Sequence, residues 1–67
     1  MTIGKGTKER MVTELPNGYK VSTLKIGKAW ETMVFDSFGD EVYCHTEPCK
    51  NEAKHYHAMA VYEYVAA

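Results

Sequence analysis

The hydrophobic and polar positions in the first half of the chain predict a β-hairpin. Residues 9–26 hold two runs rich in β-branched and apolar residues, and Pro16, Asn17 and Gly18 lie between them. Asn-Gly is the strongest short signal for a hairpin because both residues tolerate the positive φ angles of tight turns. Gly27 ends the second run. The sequence therefore predicts two antiparallel strands joined by a short turn.

Two further strands are predicted before the chain changes its periodicity. Residues 28–36 are rich in aromatic and β-branched side chains, which favour a strand. Residues 36–40, Asp-Ser-Phe-Gly-Asp, carry the residue types of a turn. Residues 41–45 then predict a short fourth strand.

The remainder of the chain predicts one helix that runs nearly to the C-terminus. Thr46 is a favourable N-cap, and Glu47 and Pro48 both suit a first helical turn. Asn51 is the alternative cap if the helix begins later. Projection at 100° per residue gives one face of small residues edged by tyrosines. That face comprises Cys49, Ala53, Tyr56, Ala60 and Tyr64, with His57 and Val61 on its flank.

These elements predict an α+β fold, an antiparallel sheet of three or four strands in the order β-β-β-β-α with the helix on one face. Residues 1–8 are polar with two glycines and predict a flexible N-terminus, so residues 9–67 form a single domain. A single helix covers one face of a sheet. Both faces of the third strand nevertheless carry large residues, Trp30 on one side and Phe35 on the other. We expect a second copy of the chain, in a homodimer, to cover the other face.

The candidate interface residues are large side chains for which the chain has no further covering element. They are Trp30, Met33, Phe35, Phe38, Tyr62 and Val65. The alternative explanation is that they are exposed apolar groups scattered over the surface, which folded proteins tolerate.

Composition and charge limit the partners. The chain has 67 residues, a net charge of −1 and 45% hydrophobic residues, which fits one small globular domain. Residues 1–28 carry six Lys or Arg and two Glu (+4), and residues 29–67 carry two Lys and seven Asp or Glu (−5). With so few basic residues, nucleic-acid binding is the weakest of the alternative functions. A small anionic ligand, such as a signalling nucleotide at a dimer interface, is the alternative, with Tyr19, Lys20, Lys25 and Lys28 as its binding residues.

Residues 44–57 hold both cysteines and all three histidines, which raises the question of a metal site. On a helix, His55 and His57 point to nearly opposite sides, and Cys49 lies about 12 Å of helical rise from His57. We therefore expect no metal within one chain, although a metal shared between subunits escapes this argument. No nucleophile, acid pair or phosphate loop has a catalytic spacing, so we expect no enzyme, no catalytic residue and no cofactor.

Glu31 and Thr32 are polar residues in the middle of an apolar strand. If they are buried they need hydrogen-bond partners, and His57 from the helix and Tyr19 are candidates. The sequence predicts a polar network of Glu31, Thr32 and His57, unless Glu31 lies in water at a strand edge.

Three stretches carry a resemblance to a known group of proteins. They are Val21-Ser22-Thr23, the run Trp-Glu-Thr-Met-Val-Phe at residues 30–35, and a helix capped by Thr46 that carries Glu52-Ala53 followed by His57. This pattern resembles a group of small bacteriophage proteins of unknown function, and the likeness covers residues 20–60. Trp30 stands where the group tends to have Tyr, and Pro48-Cys49 also departs from the pattern.

The resemblance implies a phage product that acts in the cytoplasm of a bacterial host, and it assigns no residue roles. The first ten residues have no apolar stretch typical of a signal peptide, which agrees with a cytoplasmic location and free thiols. The function we expect is that of an accessory protein that binds or inhibits a host protein, including a defence component. No run of the sequence is long and apolar enough to span a membrane.

Overall fold

The α+β architecture predicted from the sequence is confirmed. A computed structural model describes residues 9–67, so the predicted flexible segment 1–8 lies outside the described residues. Four antiparallel strands lie side by side in chain order, followed by one helix on the sheet. The strands are β1 (Arg10–Glu14), β2 (Lys20–Ile26), β3 (Ala29–Phe35) and β4 (Glu41–Glu47), and the helix is α1 (Lys50–Tyr64).

The Asn-Gly turn between β1 and β2 also fastens the end of the helix. Leu15 N–H donates to the carbonyl of Tyr19 at 2.8 Å, which closes the hairpin. The Asn17 side chain accepts from Tyr19 N–H and donates to the carbonyl of Tyr64 at 2.8 Å. Gly18 has a φ of +93°, and a Cβ there would lie 2.8 Å from Cβ of Ser37. Glycine is thus required at Gly18 by both backbone angle and space.

The start of the helix is later than the sequence predicted. Thr46 and Glu47 belong to β4, where Glu47 pairs with Trp30 at the end of the ladder. The helix begins at Lys50 with Cys49 as an extended N-cap residue, two positions before the alternative cap Asn51. A residue that precedes proline disfavours helical backbone angles, so Pro48 keeps Glu47 extended and prevents Thr46 from acting as a cap.

The helix covers one face of the sheet through small residues. Ala53, His57 and Ala60 are its buried positions, and small side chains let the helix approach the strands closely. Cys49, predicted on the same stripe, is exposed because it precedes the first turn. A hydrophobic cluster lies between the helix and the sheet. It consists of Leu15, Val21, Val34 and Ala60, with Tyr19, Tyr43, Val61 and Tyr64 packed at its edge.

The alternation of β3 assigns each side chain to one face of the sheet. Trp30, Thr32 and Val34 are buried on the face covered by the helix, whereas Met33 and Phe35 are half-buried on the opposite face. We call that opposite face, which no described element covers, the open face. Within residues 9–67, α1 is neither long nor apolar enough to cross a membrane.

Candidate functional site

A chain of hydrogen-bonded polar side chains crosses the sheet beneath the helix. Thr13 Oγ1 lies 2.9 Å from Nε2 of His57, and His57 Nδ1 lies 2.8 Å from Oγ1 of Thr23. Thr23 Oγ1 lies 2.9 Å from Oγ1 of Thr32, which donates to Oε1 of Glu47 at 3.2 Å. The other carboxylate oxygen, Oε2, lies 2.8 Å from Nδ1 of His45. We call these six residues the polar chain.

The carboxylate of Glu47 determines the direction of the hydrogen bonds along the polar chain. Because Thr32 donates its only hydroxyl proton to Glu47, Thr23 must donate to Thr32. Thr23 then has only an acceptor left, so His57 donates its Nδ1–H to it. The neutral imidazole therefore accepts from Thr13 at Nε2. The geometry thus assigns the proton of the neutral His57 ring to Nδ1.

The burial of the polar chain is uneven from one end to the other. Glu47, Thr23 and Thr32 are fully buried, and every buried polar side-chain atom of the described residues has a partner. Burial lowers the pKa of His57, and the charge of Glu47 opposes this shift in part. The side chain of His45 is 36% exposed and stacks on the ring of Tyr56 at 4.1 Å. His45 therefore links the buried carboxylate of Glu47 to the surface.

The predicted polar network is only partly present in this arrangement. Thr32 and His57 both belong to the polar chain, joined through Thr23. Glu31 does not, because neighbouring strand residues point to opposite faces. On the open face, Glu31 instead accepts from the thiol of Cys44 at 3.3 Å. Burial, then the hydrogen bond and charge of Glu31, raise the pKa of Cys44 to about 11.

Sequence reasoning missed four members of the polar chain, Thr13, Thr23, His45 and Glu47. A period-two signal was present, since Thr23 shares a face with buried Val21 and Thr32 shares one with Val34. Glu47 had no such signal because it was assigned to the helix. The polar chain consists largely of buried side chains, and the cavities of about 480 and 420 Å³ are lined by other residues. Its arrangement fits a structural role better than a catalytic one.

The residues of the cysteine and histidine cluster point in different directions. Cys44 lies on the open face, His45 on the covered face, Cys49 at the start of the helix and His57 in the interior. No three His, Cys, Asp or Glu side chains in residues 9–67 converge as metal ligands. The described residues therefore offer no metal-binding set within one chain.

The open face carries large apolar side chains with polar residues between them. Directly opposed strand residues share a face. One row runs through Val12, Ser22, Met33 and Cys44, and the next runs through Arg10, Leu24, Glu31 and Thr46. Val12 is 46% exposed, Ile26 55% and Val42 44%. We define the open-face patch as Val12, Leu24, Ile26, Met33, Phe35 and Val42.

The predicted interface residues lie in four different places. Met33 and Phe35 belong to the open-face patch. Trp30 does not, since it is only 5% exposed on the covered face, two positions from Thr32. It is therefore removed from the interface candidates. Phe38 is 88% exposed in the β3–β4 turn.

The two remaining candidates lie on the helix side of the molecule. Tyr62 is 84% exposed and Val65 44% exposed. Tyr62 borders a shallow groove of about 420 Å³ with Met59 and His55. The helix thus presents a second, smaller apolar surface away from the open face.

The residues proposed for an anionic ligand do not form one cluster. Tyr19 and Lys20 line a cavity of about 480 Å³, which Glu14 and Asp36 also line. Lys25 lies near the other end of β2, where its ammonium group is 3.6 Å from the carboxylate of Glu9. Lys28 follows in the next turn. The cavity therefore combines one lysine with two acidic residues, a poor match for an anion.

Comparison with known proteins gives no family and no relative. Neither the protein-family models, nor the curated proteins, nor the solved structures contain a match to this chain. The resemblance to small phage proteins accordingly stays a prediction.

Proposed function

We propose that this protein acts by binding another protein on its open face, without catalysis of its own. The observation that carries the proposal is the open-face patch, which no element of residues 9–67 covers. A surface on which large apolar side chains alternate with polar and charged ones has the composition of a protein interface. The resemblance to phage proteins supplies the context, a host protein in the bacterial cytoplasm whose activity is blocked or diverted, including a defence component.

The charges of the open face favour a protein partner over a nucleic acid. Arg10 and Lys20 are the basic groups of the rows that cross it, and Glu14, Glu31 and Glu41 are the acidic ones. A surface that binds phosphates needs an excess of positive charge. Mixed charges around an apolar centre suit a protein surface of complementary pattern.

A homodimer is the second part of the proposal. Its support from the sequence is the small size of the chain together with its uncovered apolar surface. With Trp30 buried, the apolar surface that a second copy could cover is smaller than the sequence predicted. A second copy is therefore better sought at a strand edge than over the open-face patch.

Site-specific photo-crosslinking in bacteria tests the partner. A photoreactive amino acid replaces Met33 at the centre of the open face, and the matched control replaces Met59, which is 49% exposed on the helix. We expect one crosslinked protein of constant mass from position 33 and not from position 59. The crosslink should disappear when Phe35→Asp places a charge beside position 33.

Two outcomes of this experiment would contradict the proposal. One is equal crosslinking from both positions to many proteins, which indicates nonspecific contact. The other is crosslinking from position 33 to a second copy of this chain alone, which would mean that the copies cover the open face themselves.

A further inference from the structure

Among residues 9–67, no backbone group pairs with the outer edge of β1 at three alternate residues. Lys25 N–H donates to the carbonyl of Glu9 at 3.0 Å, and Leu15 N–H donates to the carbonyl of Tyr19 at 2.8 Å. Because hydrogen-bonded pairs alternate in an antiparallel ladder, the odd residues of β1 face β2. Arg10, Val12 and Glu14 therefore direct their N–H and C=O groups outward.

We propose that β1 pairs antiparallel with β1 of a second copy, about a two-fold axis beside Val12. In this register Val12 faces Val12 of the second copy, and Arg10 faces Glu14 of the second copy. All of these positions are the outward-facing ones, so each pair exchanges two N–H···O bonds. Three exposed edge residues with free donors and acceptors become three fully bonded pairs.

The charges of β1 are self-complementary in this register. Arg10 and Glu14 stand two residues on either side of Val12, and all three side chains lie on the open face. The two-fold axis therefore brings each Arg10 opposite a Glu14, twice in the dimer. Opposite charges at directly opposed strand positions stabilise the pairing, and like charges destabilise it.

Other registers and the other edge of the sheet lack this match. An axis beside Arg10 or Glu14 brings like charges together, and one beside Thr13 places Arg10 opposite Pro16, which has no N–H. On β4, an axis beside Cys44 would bring Glu41 opposite Glu47 of the second copy. An axis beside Met11 leaves Arg10 opposite Val12, without an acidic partner. Among registers that pair residues 10–14 with one another, the one about Val12 therefore satisfies both the hydrogen bonds and the charges.

The helix leaves room for this pairing. It packs chiefly on β2, β3 and β4, so the outer side of β1 is not blocked by the described residues. The dimer would form one eight-stranded sheet with both open-face patches side by side. The inference deepens the proposed homodimer, and it leaves Met33 free for a partner in each copy.

The test is a charge exchange followed by sedimentation at micromolar concentrations and low salt. We expect the wild type to sediment as a dimer, and we expect Arg10→Glu or Glu14→Arg alone to weaken dimerisation by roughly tenfold or more. The double variant R10E/E14R should dimerise like the wild type. A mixture of the two single variants should form heterodimers, because each then meets the opposite charge at both positions.

Backbone measurements provide a second, independent test. Val12→Pro removes one outward N–H without removing a bond to β2, so the fold should persist while the dimer is lost. In the wild type, the amides of residues 10, 12 and 14 should exchange with deuterium slowly at high concentration and rapidly in the Arg10→Glu variant. A monomeric wild type, or a dimer unchanged by both the charge exchange and Val12→Pro, would overturn the inference. If crosslinking from position 33 finds no partner but the dimer behaves as expected, the proposed function fails and the inference about β1 does not.

Discussion

The Nδ1 atom of His45 lies 2.8 Å from Oε2 of Glu47, although the carboxylate is fully buried and the imidazole is 36% exposed. His45 and Glu47 lie two residues apart on the same face of β4, where Glu47 points inward and His45 reaches the surface. The buried acid is thus contacted by an imidazole that also meets water and by a threonine that does not. Glu47 joins Thr32 to His45 in the polar chain, so its removal should lower the free energy of unfolding.

Glu47→Ala is expected to destabilise the protein by about 2–4 kcal/mol, because Thr32 and His45 lose their acceptor and a cavity remains. Glu47→Gln should cost about 1 kcal/mol or less, since its amide oxygen still accepts from Thr32 and a changed His45 tautomer can accept from its N–H₂ group. Urea denaturation at pH 7.5 measures both. Glu41→Gln, in the same strand but exposed, is the matched control and should change stability by less than about 0.5 kcal/mol. Equal losses for Ala and Gln would show that acceptance of hydrogen bonds is not what Glu47 contributes.

Cys44 is expected to react slowly with thiol reagents despite its exposure. Only about one molecule in a thousand has the reactive thiolate at pH 8, because the pKa of this thiol is raised to about 11. Glu31→Gln should speed its alkylation several-fold, since the charge that opposes thiolate formation is removed. Alkylation rates followed by peptide mass mapping measure this, with Cys49 as the internal reference.

The control for the thiol prediction is Glu52→Gln on the helix, which should leave the Cys44 rate unchanged. An unchanged rate in Glu31→Gln as well would mean that Glu31 does not hold the Cys44 thiol in its protonated form.

Gly18→Ala should destabilise the protein more than Gly39→Ala. Both glycines have φ near +90°, so both substitutions introduce backbone strain of about 1 kcal/mol. Only at Gly18 would the added Cβ meet another atom, Cβ of Ser37 at 2.8 Å. The double change Gly18→Ala with Ser37→Gly should recover the difference in thermal denaturation. If the two single variants unfold alike, the two turns do not approach each other as closely as the structure indicates.

Local signals in the sequence predicted most of the fold, and non-local pairing explains the rest. The Asn17-Gly18 turn and the small-residue stripe of Ala53 and Ala60 depend on residues close in sequence, so they could be read directly. The burial of Glu47 depends on how far the β3–β4 ladder extends, which the N-cap signal of Thr46 obscured. The burial of Trp30 could be predicted only with knowledge of which face of β3 the helix covers. That choice is made by packing and not by alternation alone.

Protonation of His57 should make the protein less stable as the pH falls below about 6.5, the ordinary pKa of a histidine in the unfolded chain. Its pKa in the folded state is lowered by burial, so the unfolded chain binds a proton more readily, and stability is fully present above pH 6.5 and declines below it. The hydroxyls of Thr13 and Thr23 can accept from both ring nitrogens, so the loss comes from placing a charge in the interior. The nearby Glu47 carboxylate reduces this loss without removing it. Denaturation midpoints between pH 7.5 and 5.5 measure the effect.

His57→Gln is the comparison that isolates this titration. A glutamine has no proton to gain in this range, yet its amide can still accept from one threonine and donate to the other. The variant should be less stable than the wild type at pH 7.5 and lose less stability on acidification. His55, exposed on the same helix, gives the matched control His55→Gln, which should keep the wild-type pH dependence. Parallel pH profiles for the wild type and His57→Gln would place the acid sensitivity in another group.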